Sequence, residues 1–126
     1  MAHDYWADYE RHFEAFRRDC ETVDRDYANL GAFKEAFDRG IHSADLMEKT
    51  RAKNDFMRYL DTMRQAIDIA QRQGHNALAK LQAVLQNRGP FADSGQHARN
   101  IQNAQAGLRA KDDVLVRERN AAFQRF

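Results

Sequence analysis

The longest apolar pattern in the chain lies between residues 43 and 88. Its apolar positions alternate at spacings of four and three residues, which places them on one face of a single helix. They are Phe56, Leu60, Met63, Ile67, Ala70, Gly74, Ala77, Leu81 and Val84. The pattern predicts a central helix over residues 43–88, about 69 Å long at 1.5 Å per residue, against which the other segments pack.

Gly74 falls inside this helix and leaves two alternatives open. Glycine costs about 1 kcal/mol relative to alanine in a helix interior, and a break here would leave a short fourth helix over residues 76–88. The apolar spacing nevertheless keeps its phase across Gly74, and a break has no reason to preserve phase. We therefore expect a continuous helix, in which Gly74→Ala would stabilise the protein by recovering helix propensity.

A second amphipathic pattern predicts the first long helix, over residues 4–39. Its seam is spaced by three and four residues, and the charged side chains occupy the other faces. The seam consists of Trp6, Tyr9, Phe13, Phe16, Cys20, Val23, Tyr27 and Leu30. The next apolar positions are Phe33 and Phe37, so the stripe slips at Gly31 and predicts a kink there.

Turn signals separate the three long helices. Gly40 is expected to end the first helix as a left-handed cap, and Ser43 or Asp45 to cap the central helix after a short turn. Gly89 and Pro90 end the central helix, because proline lacks the amide needed to continue it. The turn between the end of each helix and the start of the next is short, so neighbouring helices are expected to be antiparallel.

The last helix, over residues 95–125, has a weaker apolar pattern. Ile101, Leu108, Leu115 and Ala122 recur at a spacing of seven residues. Their companions, Ala104, Lys111 and Glu118, are small or charged, which predicts the most loosely packed helix of the fold.

These patterns predict an all-α fold: an antiparallel helical coiled-coil bundle of three long helices in one domain over residues 1–126. Charged residues make up 31% of the chain, and valine and isoleucine are few, which favours solvated helices over a sheet. No apolar run approaches the length of a membrane span and no export leader is evident, so we expect a cytoplasmic protein that makes no membrane contact.

The residues that carry chemistry in enzymes do not form a recognisable site in this sequence. The five histidines lack metal-ligand spacing, the six glycines are scattered singly, and carboxylates alternate with arginine and lysine. Cys20 lies on the apolar seam and is interpreted as a small buried hydrophobe. We expect a protein without catalytic residues, metal or cofactor.

Basic residues in the last helix suggest one function, the binding of nucleic acid. The candidate phosphate contacts are Arg99, Arg109, Lys111, Arg117, Arg119 and Arg125. Acidic residues interrupt this set, and the chain as a whole has a net charge of only +1. A nucleic-acid-associated accessory protein is therefore the alternative hypothesis, and a solvated helix face is the expected explanation.

Apolar residues that the seams do not use suggest the leading function. The antiparallel order is expected to gather aromatic and aliphatic side chains at one end of the bundle, with two valines of the last helix alongside. These candidate partner-binding residues are Phe33, Phe37, Leu46, Met47, Val114, Val116, Phe123 and Phe126. We expect a non-catalytic protein–protein interaction module, an adaptor, chaperone or inhibitor, that binds another protein or forms a homo-oligomer.

Overall fold

Four α-helices make up most of the protein in the computed structural model, which describes residues 3–125. They are α1 (Tyr5–Tyr27), α2 (Leu30–Gly40), α3 (Leu46–Arg88) and α4 (Ser94–Phe123). Residues 3–125 contain no strand, so the predicted all-α class is confirmed. Helices α1 and α2 follow each other with a bend between them and form the first of three long segments.

The central segment, α3, is the helix on which the others pack. Its nine predicted seam residues are all buried, and Leu60, Ala70 and Ala77 have no exposed surface. Helix α1 runs antiparallel along one side of this seam and α4 along the other. The hydroxyl of Tyr9, near the start of α1, lies 2.9 Å from Nδ1 of His97, near the start of α4. Farther along, Lys111 of α4 pairs with Asp24 of α1, so α1 and α4 run in the same direction.

Helix α3 is continuous through Gly74, as the preserved phase predicts, but the reason for glycine at this position is packing. A Cβ atom added to Gly74 would lie 2.9 Å from Cε1 of Phe16 in α1 and 2.8 Å from Nε2 of Gln105 in α4. Both distances are well inside normal contact separations. The crowding by Phe16 and Gln105 thus opposes the gain in helix propensity, and we expect alanine to destabilise the protein here rather than stabilise it.

The bend in the first segment lies at Ala28 and Asn29, two residues before the predicted kink at Gly31. The hydroxyl of Tyr59 in α3 donates a hydrogen bond of 2.7 Å to the backbone oxygen of Asp26, and the amide of Asn29 also donates to that oxygen. The Asp26 oxygen is thus engaged where a straight helix would offer it to residue 30. The ring of Phe33 stacks on Tyr59 with centroids 4.1 Å apart, which fixes the direction of α2.

Gly40 does not form the predicted left-handed cap. It is the last residue of α2 and is not among the described residues with positive φ, which are Gly89 and Asp93. A Cβ atom on Gly40 would lie 2.2 Å from Cβ of Ala52, so this glycine lets α2 approach α3. The predicted cap of α3 is confirmed at Asp45, whose carboxylate accepts a hydrogen bond of 2.9 Å from the amide of Met47.

The two interior glycines of α3 and α4 give a matched test of the crossing at Gly74. Gly74→Ala is expected to lower the free energy of unfolding by about 1–3 kcal/mol, because the methyl group overpacks the contact with Phe16. Gly107→Ala is the control: nothing lies within 4 Å of an added Cβ there, so the substitution should stabilise by up to about 1 kcal/mol. Urea unfolding measures both, and stabilisation by Gly74→Ala would contradict the crossing.

Candidate interaction surface

The structure separates the predicted cluster of partner-binding residues into buried and exposed members. Phe37 is only 2% exposed and stacks on Phe56 of α3 with ring centroids 4.9 Å apart, so in this structure it belongs to the core. Phe33 is 38% exposed but is held against Tyr59. Phe126 lies outside the described residues.

The first residues of α3 form the most exposed apolar surface of the cluster. Leu46 is 75% and Met47 is 72% exposed, and every residue from 44 to 51 is exposed. Helix α2 ends where Gly40 meets Ala52, so the turns of α3 before Ala52 have no neighbouring helix to cover them. We call residues 46–51 the α3 tip.

A shallow groove of about 450 Å³ runs from the α3 tip along the outer face of the same helix. Its walls combine two apolar side chains with polar and charged ones, among them two arginines and one aspartate. The lining residues are Leu46, Met47, Thr50, Arg51, Asn54, Asp55 and Arg58. Apolar anchors surrounded by charged groups are the composition of a protein interface, with an apolar centre and a polar rim.

The remaining predicted partner-binding residues lie on α4. Phe123 is 50% exposed, and the guanidinium carbon of Arg119 lies 4.9 Å from its ring centroid. Val114 and Val116 are half-buried on either side of the buried Leu115. Both valines therefore keep part of their apolar surface uncovered.

The basic residues of the alternative hypothesis are partly used inside the molecule. Lys111 pairs with Asp24 of α1 at 3.1 Å, Arg119 with Asp61 of α3 at 3.1 Å, and Arg125 with Asp38 of α2. The other three, Arg99, Arg109 and Arg117, form no ion pair with a described residue. Half of the candidate phosphate contacts therefore already have a carboxylate partner within the chain.

The aromatic residues at the other end of the bundle belong to the packing between helices. Tyr9 is 1% exposed, and burial raises the pKa of its hydroxyl to about 12. The ring of His97 lies edge-on to Trp6, Tyr9 and Phe91 at centroid distances of 5.5–5.9 Å. This end is tied together by ring contacts, unlike the α3 tip.

Sequence reasoning missed one buried residue, Gln105. It is 5% exposed and occupies a position four residues after Ile101 and three before Leu108. The companions predicted for this seam were positions 104, 111 and 118, whereas the side facing α3 consists of positions 105, 112 and 119. Gln105 continues the alternating spacing of four and three residues from Ile101 to Leu108. Because its side chain is polar, a search for apolar residues alone passes over it.

Groups that would support other chemistry are not assembled in the part of the chain that the structure describes. Residues 3–125 contain no cluster of three or more side chains able to hold a metal ion. Among the same residues, no helix has both the length and the apolar character needed to cross a bilayer. Burial, with Asp24 and Asp19 nearby, raises the pKa of the half-buried Cys20 thiol to about 11.

Comparison with known proteins identifies no relative of this chain. No protein-family model, no curated protein and no solved structure gives a significant match to the chain. A proposal for the function of this protein therefore has to start from its own side chains.

The raised pKa of Cys20 predicts a thiol that is slow to react in the folded protein. At pH 8 about one thiol in a thousand would be ionised with a pKa of about 11, against roughly a quarter for an exposed cysteine. Alkylation by iodoacetamide at pH 8 should therefore be at least about 100-fold slower in the native chain than in urea. Equal rates in the two states would show that the thiol is an accessible nucleophile.

Proposed function

We propose that this protein is a non-catalytic protein–protein interaction module that docks through the α3 tip. The observation that carries the proposal is the exposure of Leu46 and Met47, two adjacent large apolar side chains that are each about three-quarters uncovered. Apolar residues scattered singly are ordinary on protein surfaces, whereas an adjacent pair on an uncovered helix end offers anchors for a partner.

The α3 tip presents its anchors on a preformed helix. Asp45 caps the first turn through the amide of Met47, and the hydroxyl of Thr50 donates a hydrogen bond of 2.9 Å to the backbone oxygen of Leu46. A partner therefore does not have to order this segment, which lowers the entropic cost of binding. Arg51, Asp55 and Arg58 line the same groove as the anchors and would form a polar rim that selects the partner.

A module of this kind acts by covering or joining other surfaces, as an adaptor, a chaperone or an inhibitor does. The partner is a second protein, or a second copy of this chain in a homo-oligomer, and a cytoplasmic location fits either. Nucleic-acid binding through α4 is the weaker alternative because Lys111, Arg119 and Arg125 already pair with carboxylates. Binding through phosphates would weaken steeply with salt, whereas apolar docking would not.

The α3 tip offers a substitution that leaves the core untouched. Leu46→Ser combined with Met47→Ser should weaken self-association, measured by sedimentation equilibrium, by at least about tenfold, because it removes both anchors. The free energy of unfolding should change by less than about 0.5 kcal/mol per site, since both side chains are exposed.

Ile69→Ser is the matched control, since Ile69 is another exposed apolar residue of α3, 51% exposed and distant along the helix from the α3 tip. It should leave association unchanged. An equal loss in this control, or no loss in the double variant, would contradict docking through the α3 tip. If the wild-type chain stays monomeric at every concentration, self-association is excluded and capture of a second protein by the same variants is compared instead.

A further inference from the structure

The end of the bundle opposite the α3 tip contains a cavity of about 450 Å³ that the proposed function does not use. It lies where α3 ends and the connection to α4 begins, beside the first turn of α1. The lining residues are Trp6, Val84, Arg88, Gly89 and Phe91. A cavity of this size, with mainly apolar walls and one charged group among its described lining residues, has the character of a small-molecule site.

Two aromatic rings form a corner in the wall of this cavity. The rings of Trp6 and Phe91 are nearly perpendicular, with an interplanar angle of 89° and centroids 5.4 Å apart. Aromatic rings prefer offset-stacked or edge-to-face contacts, and a corner of this kind offers both to a third ring. Val84, which is only 2% exposed, adds an aliphatic contact. The apolar wall therefore fits a flat aromatic group.

The corner is held in place by a residue of α4. The ring of His97 meets the rings of Trp6 and Phe91 at centroid distances of 5.8 and 5.9 Å. Nδ1 of the same histidine lies 2.9 Å from the hydroxyl of Tyr9, a residue that is 1% exposed. A ligand therefore finds the two rings already positioned, which lowers the entropic cost of binding.

Arg88 supplies the charge of the cavity. It is exposed in the last turn of α3 and forms no ion pair with a described residue. Asp4 lines a neighbouring cavity rather than this one, and its carboxylate accepts a hydrogen bond of 3.0 Å from the amide of Ala7. A guanidinium binds a carboxylate through two parallel hydrogen bonds, so Arg88 favours an acid as the ligand.

We propose that this cavity binds a small aromatic carboxylate, whose ring lies in the corner between Trp6 and Phe91 and whose carboxylate pairs with Arg88. The choice of an acid rests on the charge of Arg88, which no described carboxylate neutralises. The choice of a ring rests on the perpendicular pair of aromatic side chains. The cavity is about 60 Å from the α3 tip along α3, so this site is separate from the proposed function and stands or falls without it.

The single tryptophan of the chain reports on this cavity. Its indole N–H gives one resonance in a proton–nitrogen correlation spectrum, so a shift of that resonance places a ligand at Trp6. The probes are phenylpropionate, the neutral phenylpropanol and the positively charged phenylpropylamine, which share a ring and a chain length and differ in charge. Phenylpropionate should bind with a dissociation constant of about 1 mM, as expected for about eleven non-hydrogen atoms. The alcohol and the amine should bind at least about fivefold more weakly.

Arg88→Gln removes the charge of the cavity. It should weaken phenylpropionate binding at least about fivefold, to the affinity of the alcohol, and leave binding of the alcohol unchanged. Arg109→Gln is the matched control, because Arg109 is also exposed, lines a different cavity and has no described ion-pair partner. It should leave the affinities of all three probes unchanged. Both substitutions are at the surface, so circular dichroism should show the helical content of the wild type.

Phe91→Leu tests the aromatic corner, because it keeps an apolar side chain and removes one of the two rings. Both the acid and the alcohol should bind at least about threefold more weakly. Unchanged affinities in this variant would overturn the proposal. So would an indole resonance that does not move at about 10 mM phenylpropionate, roughly ten times the expected dissociation constant. Equal affinities of the wild type for the acid and the alcohol, or an equal loss in Arg109→Gln, would overturn it as well.

Discussion

The apolar seam of α3 is the interaction on which the rest of the structure depends. Its buried side chains face α1 on one side and α4 on the other, so neither outer segment would have a core without it. At Gly74 the side chains of Phe16 and Gln105 approach so closely that an added Cβ atom would lie within 3 Å of both. The close approach of Phe16 and Gln105 to α3 thus depends on the absence of a side chain at this one residue.

The two outer segments use this seam unequally, and the difference bears on how easily each one opens. Helix α1 adds large apolar side chains, including Phe16 and Val23, which are 2% and 1% exposed. Helix α4 adds four buried apolar residues, the buried amide of Gln105, whose Nε2 atom has no hydrogen-bond partner among the described residues, and ion pairs to the neighbouring helices. Exposed ion pairs contribute little to stability and weaken with salt, so α4 is the segment most able to leave. We therefore expect α4 to open more readily than α1, which packs on α3 through large apolar side chains.

Much of the architecture follows from the spacing of apolar residues, because burial on one face of a long helix requires that spacing. The seam of α3 could be read in full from the sequence, and so could Asp45 and Gly89 as helix boundaries. The local details that were wrong depend on contacts between distant segments. The bend lies where Tyr59 binds the backbone oxygen of Asp26. Gly40 is required because a side chain there would collide with Ala52 of α3.

The candidate interaction surface was predictable only in part, for the same physical reason. Exposure of Leu46 and Met47 depends on where α2 stops beside α3, and burial of Phe37 depends on its stacking with Phe56. Neither contact is local in sequence. The sequence identifies the apolar residues outside the seams as candidates. Only the packing of the neighbouring helices decides which of them are exposed and which are buried in the core.

Native-state hydrogen exchange, followed by nuclear magnetic resonance in low concentrations of denaturant, tests this account most directly. The account predicts that amides of α3 around Gly74 exchange only when the whole protein unfolds, since α1 and α4 both cover them. Amides of α4 should exchange through a separate opening with a smaller free energy. The same opening free energy for α4 and α3, or easier opening at Gly74 than in α4, would contradict a continuous central helix with a separable α4.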